Sequence, residues 1–183
     1  MMPEISLNIL DVAQNSVTAG SSLTVIEINI DSAADTLEVQ INDSGCGMSQ
    51  EQAEKVADPF YTTRSTRKVG LGVPFLKMAA ELSAGSMEIE SAIGKGTKIK
   101  AVFGLSHIDR MPLGDIAATM TALIGPNPDI DFIFRYILNQ NEFILDTREI
   151  KQALEGISLG EPEVLMYISD MINENIDALG ARF

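Results

Sequence analysis

Two stretches, LTVIEINID at 23–31 and TLEVQIND at 36–43, alternate apolar and polar residues with a period of two, and this pattern limits the fold more than any other. Ile26, Ile28 and Ile30 point one way and Glu27, Asn29 and Asp31 the other; Leu37, Val39 and Ile41 stand against their polar neighbours in the same manner. Such alternation specifies strands with one face buried and one wet. A second pair follows, SMEIES at 86–91 and TKIKAVF at 97–103, separated by the turn AIGKG. A sheet that is dry on one side only must carry its helices on that side.

The helical segments fit this scheme. ILDVAQNSVTAG belongs to a helix over about 5–19, ended by Gly20 where a left-handed conformation is cheap. Ser49 and Gln52 form a capping box at the head of SQEQAEKVA, and VPFLKMAAEL starts a further helix at about Val73, with Pro74 tolerated in its first turn. Between them DPFYTTRSTRKVGLG, rich in Gly, Thr and bases, reads as a loop. The order predicts an α+β two-layer sandwich over residues 1–105. Residues 106–183 read as a small C-terminal α+β extension: a helix within 113–125, a hairpin turning at Asn139 to Asn141, then TREIKQALEG and EPEVLMYISDMINENIDALG as two helices. The extension offers no motif, and the sequence leaves open whether it packs on the first domain or makes a homodimer.

The net charge of −13 argues against a nucleic-acid footprint and against a membrane surface, since both need clustered Lys and Arg. No stretch approaches transmembrane length and MMPEISLN lacks a secretory pattern, so a cytoplasmic location is expected. The single cysteine, Cys46, agrees with a reducing compartment and reads as a small residue filling a tight spot. The charge is uneven, −5 over residues 1–110 and −8 over 111–183, and every base of the first part lies between Lys55 and Arg110. A basic island in an acidic chain suggests a local anionic ligand.

Three glycine clusters need explaining: Asp43-Ser-Gly45-Cys-Gly47, Gly70-Leu71-Gly72 and Gly94-Lys-Gly96-Thr97. None has the Lys-Ser or Lys-Thr that must follow a P-loop's last glycine, and neither GxG run reaches a third glycine, so the dinucleotide and protein-kinase fingerprints fail. Singly, each is a turn. Jointly they place an acceptor, Asp43, at a strand end before glycines that admit a ligand, and a glycine pair at a helix amino terminus, where free N–H groups favour phosphate. Asn8, Asp11, Asn15 and Thr18 add a polar stripe on the first helix at spacings of three, four and three.

The order Asp11-x3-Asn15, Asp43-x-Gly45-x-Gly47, Pro59-Phe60-Tyr61-Thr62-Thr63-Arg64, Gly70-Leu71-Gly72 and Gly94-x-Gly96-Thr97 resembles the GHKL superfamily. This is the Bergerat-fold ATP-binding group of histidine kinases, gyrases, heat-shock chaperones and mismatch-repair ATPases, and the resemblance covers about residues 5–105. It implies a mixed sheet with helices on one face, and it implies roles. Asn15 matches the asparagine that holds Mg²⁺ against the phosphates, a hard oxygen donor for a hard ion. Asp43 matches the acceptor of the adenine amino group, with Gly45 and Gly47 letting the chain pass the base. Gly70, Leu71 and Gly72 match the glycine box under the phosphates, and Thr97 the threonine at the adenine end. Thr62, Thr63, Arg64 and Lys68 fall on the ATP lid, where Arg64, Arg67 and Lys68 are cations suited to a triphosphate.

The reaction type is less well marked. The lid flank and GLGVPFLKMAAE look like sensor histidine kinases, which usually carry Asn at the place of Asp11, whereas hydrolysing members carry Glu there as general base. Asp11, one methylene shorter, is the candidate catalytic residue. Only a few residues precede the N box, and His107, the single histidine, follows the last strand of the domain, so kinase activity is expected to act in trans on an unidentified partner protein. A non-catalytic ATP-gated interaction switch and a slow ATPase using Asp11 are the alternatives.

Overall fold

The alternation at 23–31 and 36–43 becomes an antiparallel hairpin, β1 (Leu23–Asp31) and β2 (Thr36–Asp43), in a computed structural model that describes residues 4–58 and 71–180. Ahead of it runs α1 (Ile5–Thr18), followed by Gly20 at φ +71°. After the hairpin come α2 (Gln50–Lys55), with the Ser49–Gln52 capping box formed in both directions, and α3 (Gly72–Leu82). β3 (Ser86–Ala92) and β4 (Gly96–Gly104) make the second hairpin.

The sheet continues past residue 105. α4 (Ile116–Ile124) leads to β5 (Asp131–Leu138) and β6 (Asn141–Asp146), and then to α5 (Thr147–Ala153) and α6 (Pro162–Leu179). Asn139 and Gln140, at φ +47° and +75°, make the two-residue turn between β5 and β6, the left-handed geometry that matches strand twist. β5 pairs parallel to β1, Leu23 opposite Asp131 through Ile30 opposite Leu138, so one mixed six-stranded sheet has the order β3-β4-β2-β1-β5-β6. It runs across the 105/106 boundary expected from the sequence.

One face of the sheet is dry. Ile26, Ile28, Ile30, Leu37, Val39, Ile41, Ile99, Phe103, Phe132, Phe134 and Tyr136 are buried there beneath the helices. α1 packs against α3 on one side and α4 on the other, and α4 against α6. The opposite face is polar where charges pair across strands: Arg135 bridges Glu27 at 2.6 Å and Glu142 at 2.8 Å, and Lys100 meets Glu38 at 2.8 Å. Tyr136 is fully buried, its hydroxyl has no hydrogen-bond partner among the described residues, and burial pushes its phenol up to about 12. No helix among the described residues is long and apolar enough to cross a membrane.

Two expectations change. Asn8 is not part of a polar stripe: it is 1% exposed, and its Nδ2 donates to the Glu4 carbonyl at 3.2 Å. At about 100° per residue Asn8 lies about 60° from the buried line of Ile5, Ile9, Val12 and Ser16, whereas Asp11 lies about 120° away and stays half-exposed. Cys46 does not fill a tight spot either. Its backbone is engaged at both ends, the N–H donating to the Ala19 carbonyl at 3.0 Å and the carbonyl accepting from Gly94 N–H at 2.7 Å, while the side chain is exposed.

Candidate functional site

The site forms where four segments meet at one end of the sheet. β2 ends with Asp43 on the same face as Leu37, Val39 and Ile41, so its carboxylate continues a row of core residues out to the rim. Two donors fix it: Ser16 Oγ donates to Oδ2 at 3.1 Å and the Gly45 N–H to Oδ1 at 2.8 Å. Ser16 is 2% exposed and stands on the inward line of α1, one turn beyond Val12. A polar side chain at a core register position is the signal that could have found it, and the sequence reading missed it.

Thr97 lies directly opposite Asp43 across the β2–β4 ladder, so both side chains stand on one face of the sheet. Its hydroxyl shares a hydrogen bond with Ser91 Oγ at 2.9 Å, and Ser91 Oγ in turn accepts the Met48 N–H at 2.8 Å. Ser91 therefore ties the end of the first glycine loop to Thr97, another contribution the sequence reading did not anticipate. Beside it, a cavity of about 550 Å³ opens between α2, α3 and β3, lined by Gln50, Ala53, Lys77, Met87, Ile89 and Ser91 among others.

The glycines answer to the chain before any ligand. Gly47 sits at φ +67°, and a Cβ there would lie 2.0 Å from the Ala92 carbonyl oxygen; at Gly96, φ +85°, it would lie 1.9 Å from the Asp43 carbonyl oxygen. Backbone crosses backbone at both positions, which leaves room for hydrogen alone. At Gly45 the approach is less severe, a Cβ there lying 2.8 Å from the Ala19 Cβ and 2.9 Å from Asp43 Oδ1.

Asp11 and Asn15 are half-buried on α1, one turn apart, and Asp11 points at the start of α3. A Cβ on Gly72 would come 2.5 Å from Asp11 Oδ2, so the missing side chain lets the carboxylate lie against the first helical turn. Leu71 precedes that turn and gives no side-chain cap. The first N–H groups of a helix have no partner inside it, and its positive end attracts anions. Asp11 thus lies beside an anion-attracting helix end with Asn15 one turn further along α1, and a carboxylate and an amide oxygen are of the donor type that suits magnesium. Among the described residues no group of three His, Cys, Asp or Glu could hold a metal alone. Thr62, Thr63, Arg64, Lys68 and Gly70 lie outside the described residues.

Residues 4–107, more than half of the chain, match the family model described as histidine kinase-, DNA gyrase B- and HSP90-like ATPase. A sensor protein of Shewanella frigidimarina is 30% identical over 107 residues, covering 58% of this chain and 16% of its own length. Sporulation kinase C of Bacillus subtilis is 29% identical over 96 residues, 52% of this chain and 22% of its own. Across such curated relatives the chain spans between 14% and 24% of their length. A solved structure, the N-terminal domain of a DNA repair protein, superposes with a TM-score of 0.53 at 13% identity over 79% of this chain and 53% of its own, a likeness of fold. The chain belongs to the histidine kinase-, DNA gyrase B- and HSP90-like ATPase family, and residues 4–107 are its kinase-like ATP-binding domain.

Proposed function

We propose that the chain binds ATP with Mg²⁺ and acts in trans as a protein kinase on a His or Ser/Thr of a partner protein. The observation that carries the ATP site is the doubly fixed Asp43 facing Thr97, an acceptor whose direction is set before a ligand arrives. An acceptor so placed suits the exocyclic amine of adenine. Gly72 then puts the start of α3 within reach of phosphates, and Asn15 is the residue that would hold Mg²⁺. The ion would neutralise charge that otherwise sets the Asp11 carboxylate against the γ-phosphate. Thr62, Thr63, Arg64, Lys68, Gly70 and Leu71 complete the nucleotide set in this reading, and Asp11 orients the attacking group.

A second reading has one observation in its favour. α1, which carries Asp11 and Asn15, packs directly on α4, and β1 pairs with β5, so the region after residue 105 touches the helix of the site. An ATP-gated interaction switch, in which nucleotide binding alters what residues 106–183 present, would use that contact. The extension is the surface a homodimer or another protein would use in either case.

The deciding experiment uses γ-labelled ATP and the proteins that the chain captures in the presence of nucleotide. Label on the partner that is lost in Asp43→Asn supports the kinase. ATP-dependent capture with no transfer supports the switch, and release of phosphate without a partner, abolished in Asp11→Ala, supports the slow ATPase.

A further inference from the structure

At the edge of the sheet away from the nucleotide site, the molecule has an apolar groove of about 1260 Å³ between β6, α5 and α6. Counting from β2, which carries Asp43, β6 lies three strand spacings away, about 14 Å at 4.8 Å each. Its walls include Ile144, Ile157 and Tyr167, which are 49%, 57% and 62% exposed. Three of the nine large apolar side chains exposed among the described residues gather here. Scattered exposed leucines need no explanation, but a contiguous apolar cleft marks a contact.

The rim decides what fits. Asp146, Glu149, Glu161 and Glu163 line the groove, and no Lys or Arg does. Asp146 is engaged by Arg148 at 2.6 Å, which leaves Glu149, Glu161 and Glu163 facing outward around the apolar floor. A second copy of this chain is a poor occupant, because the net charge is −13, of which −8 belongs to residues 111–183, and stacking two such rims sets carboxylates against carboxylates. A small ligand would need convergent polar anchors inside the cleft, whereas apart from the four carboxylates and Ser158 its lining is apolar or aromatic. The size is right for a helix: a cylinder about 10 Å wide that filled it would be about 16 Å long, or roughly three turns.

We propose that this groove docks a cationic amphipathic helix of a partner protein. Apolar side chains at i, i+3, i+4 and i+7 would lie between Ile144, Ile157 and Tyr167, with Lys or Arg on the flanks against Glu149, Glu161 and Glu163. The proposal does not depend on nucleotide.

The test uses an 18-residue fluorescent peptide with leucines at helical spacing and lysines on the flanks, titrated with the full chain without nucleotide and read by anisotropy. Three controls accompany it: a scrambled peptide of equal composition, a peptide with Glu in place of Lys, and thermal melts of every variant. Expected are saturable binding, at least tenfold weaker with the scrambled peptide, and at least tenfold weaker in Tyr167→Asp and Ile157→Asp, whose melting is unchanged. Glu161→Lys combined with Glu163→Lys should weaken it severalfold, and more at low salt. Equal binding of the scrambled peptide, indifference to Tyr167→Asp and Ile157→Asp, or no binding would each overturn the proposal. So would micromolar self-association of the chain that Ile157→Asp disrupts, since the occupant would then be a second copy.

Discussion

Replacing Ser16 by Ala tests whether the direction of the Asp43 carboxylate matters. The substitution removes one hydroxyl that is 2% exposed and donates to Oδ2 at 3.1 Å, while the Gly45 N–H still holds Oδ1 at 2.8 Å. A hydrogen bond to a charged group contributes roughly 1.5–3 kcal/mol. Asp43 is only half-buried, so water can replace the lost donor in part, and a loss of about 1–2 kcal/mol in folding stability is expected. The carboxylate is then free to pivot about its remaining bond, and ATP affinity should fall about 5- to 10-fold, which is about 1–1.4 kcal/mol. Asp43→Asn keeps the shape but replaces an oxygen by a donor, and affinity should fall about 30-fold or more, roughly 2 kcal/mol. Because Ser16 acts through Asp43, the double variant should lose little beyond Asp43→Asn alone, a coupling of about 1 kcal/mol. Urea denaturation and calorimetric titration with Mg·ATP give both quantities. Unchanged stability and affinity in Ser16→Ala, or strictly additive losses in the double variant, would refute the reasoning.

Gly47→Ala places a Cβ 2.0 Å from the Ala92 carbonyl oxygen at a φ of +67°, and should lower stability by about 3 kcal/mol or more, measured by urea denaturation with no nucleotide present. Tyr136 predicts an alkaline transition. Its pKa is raised from 10.0 to about 12 by burial, so the stability linked to its neutral form is complete below pH 10 and is lost between pH 10 and about 12. Tyr136→Phe removes a buried hydroxyl with no partner among the described residues and should leave stability at pH 7 unchanged or higher by about 1 kcal/mol, with a smaller decline above pH 10 in denaturation followed against pH. Gly72→Ala forces the Asp11 carboxylate off the start of α3, and should weaken Mg·ATP binding by about tenfold in the same calorimetric titration, with the melting temperature lowered by only a few degrees.

The strands were legible because the sheet has one wet face: Ile26, Ile28 and Ile30 are buried and Glu27 and Asn29 are not, which is what alternation encodes. Caps were legible where the chemistry is local, as in Ser49 with Gln52. Ser16 was not, because its partner is 27 residues away and a serine among Ile5, Ile9 and Val12 resembles a neutral filler. The glycines of the boxes were recognised without their reason, since only the crossing of Gly47 over Ala92 and of Gly96 over Asp43 explains why a methyl group is excluded. Asn8 was misplaced because a polar residue three positions from Ile5 can place its Nδ2 on the Glu4 carbonyl inside its own helix and be buried there, even though its Oδ1 has no partner among the described residues. The parallel pairing of β5 with β1 leaves no trace in local pattern at all; both strands alternate as any half-buried strand would.

That pairing has a consequence for the order of events during synthesis. β1 lies in the middle of the finished sheet, yet the strand that completes its second edge follows 108 residues later, as the partners Glu27 and Arg135 do. At about 5–20 residues per second, a ribosome takes roughly 5–20 s to supply it. Throughout that interval the nascent 1–105 segment presents an unpaired edge with Val25 and Leu23 upon it, a template for any other extended chain. Cells making this protein would need either a chaperone for those seconds or a slow closure of the first hairpins, and a codon change that pauses translation between 105 and 131 should lower soluble yield without altering a single residue.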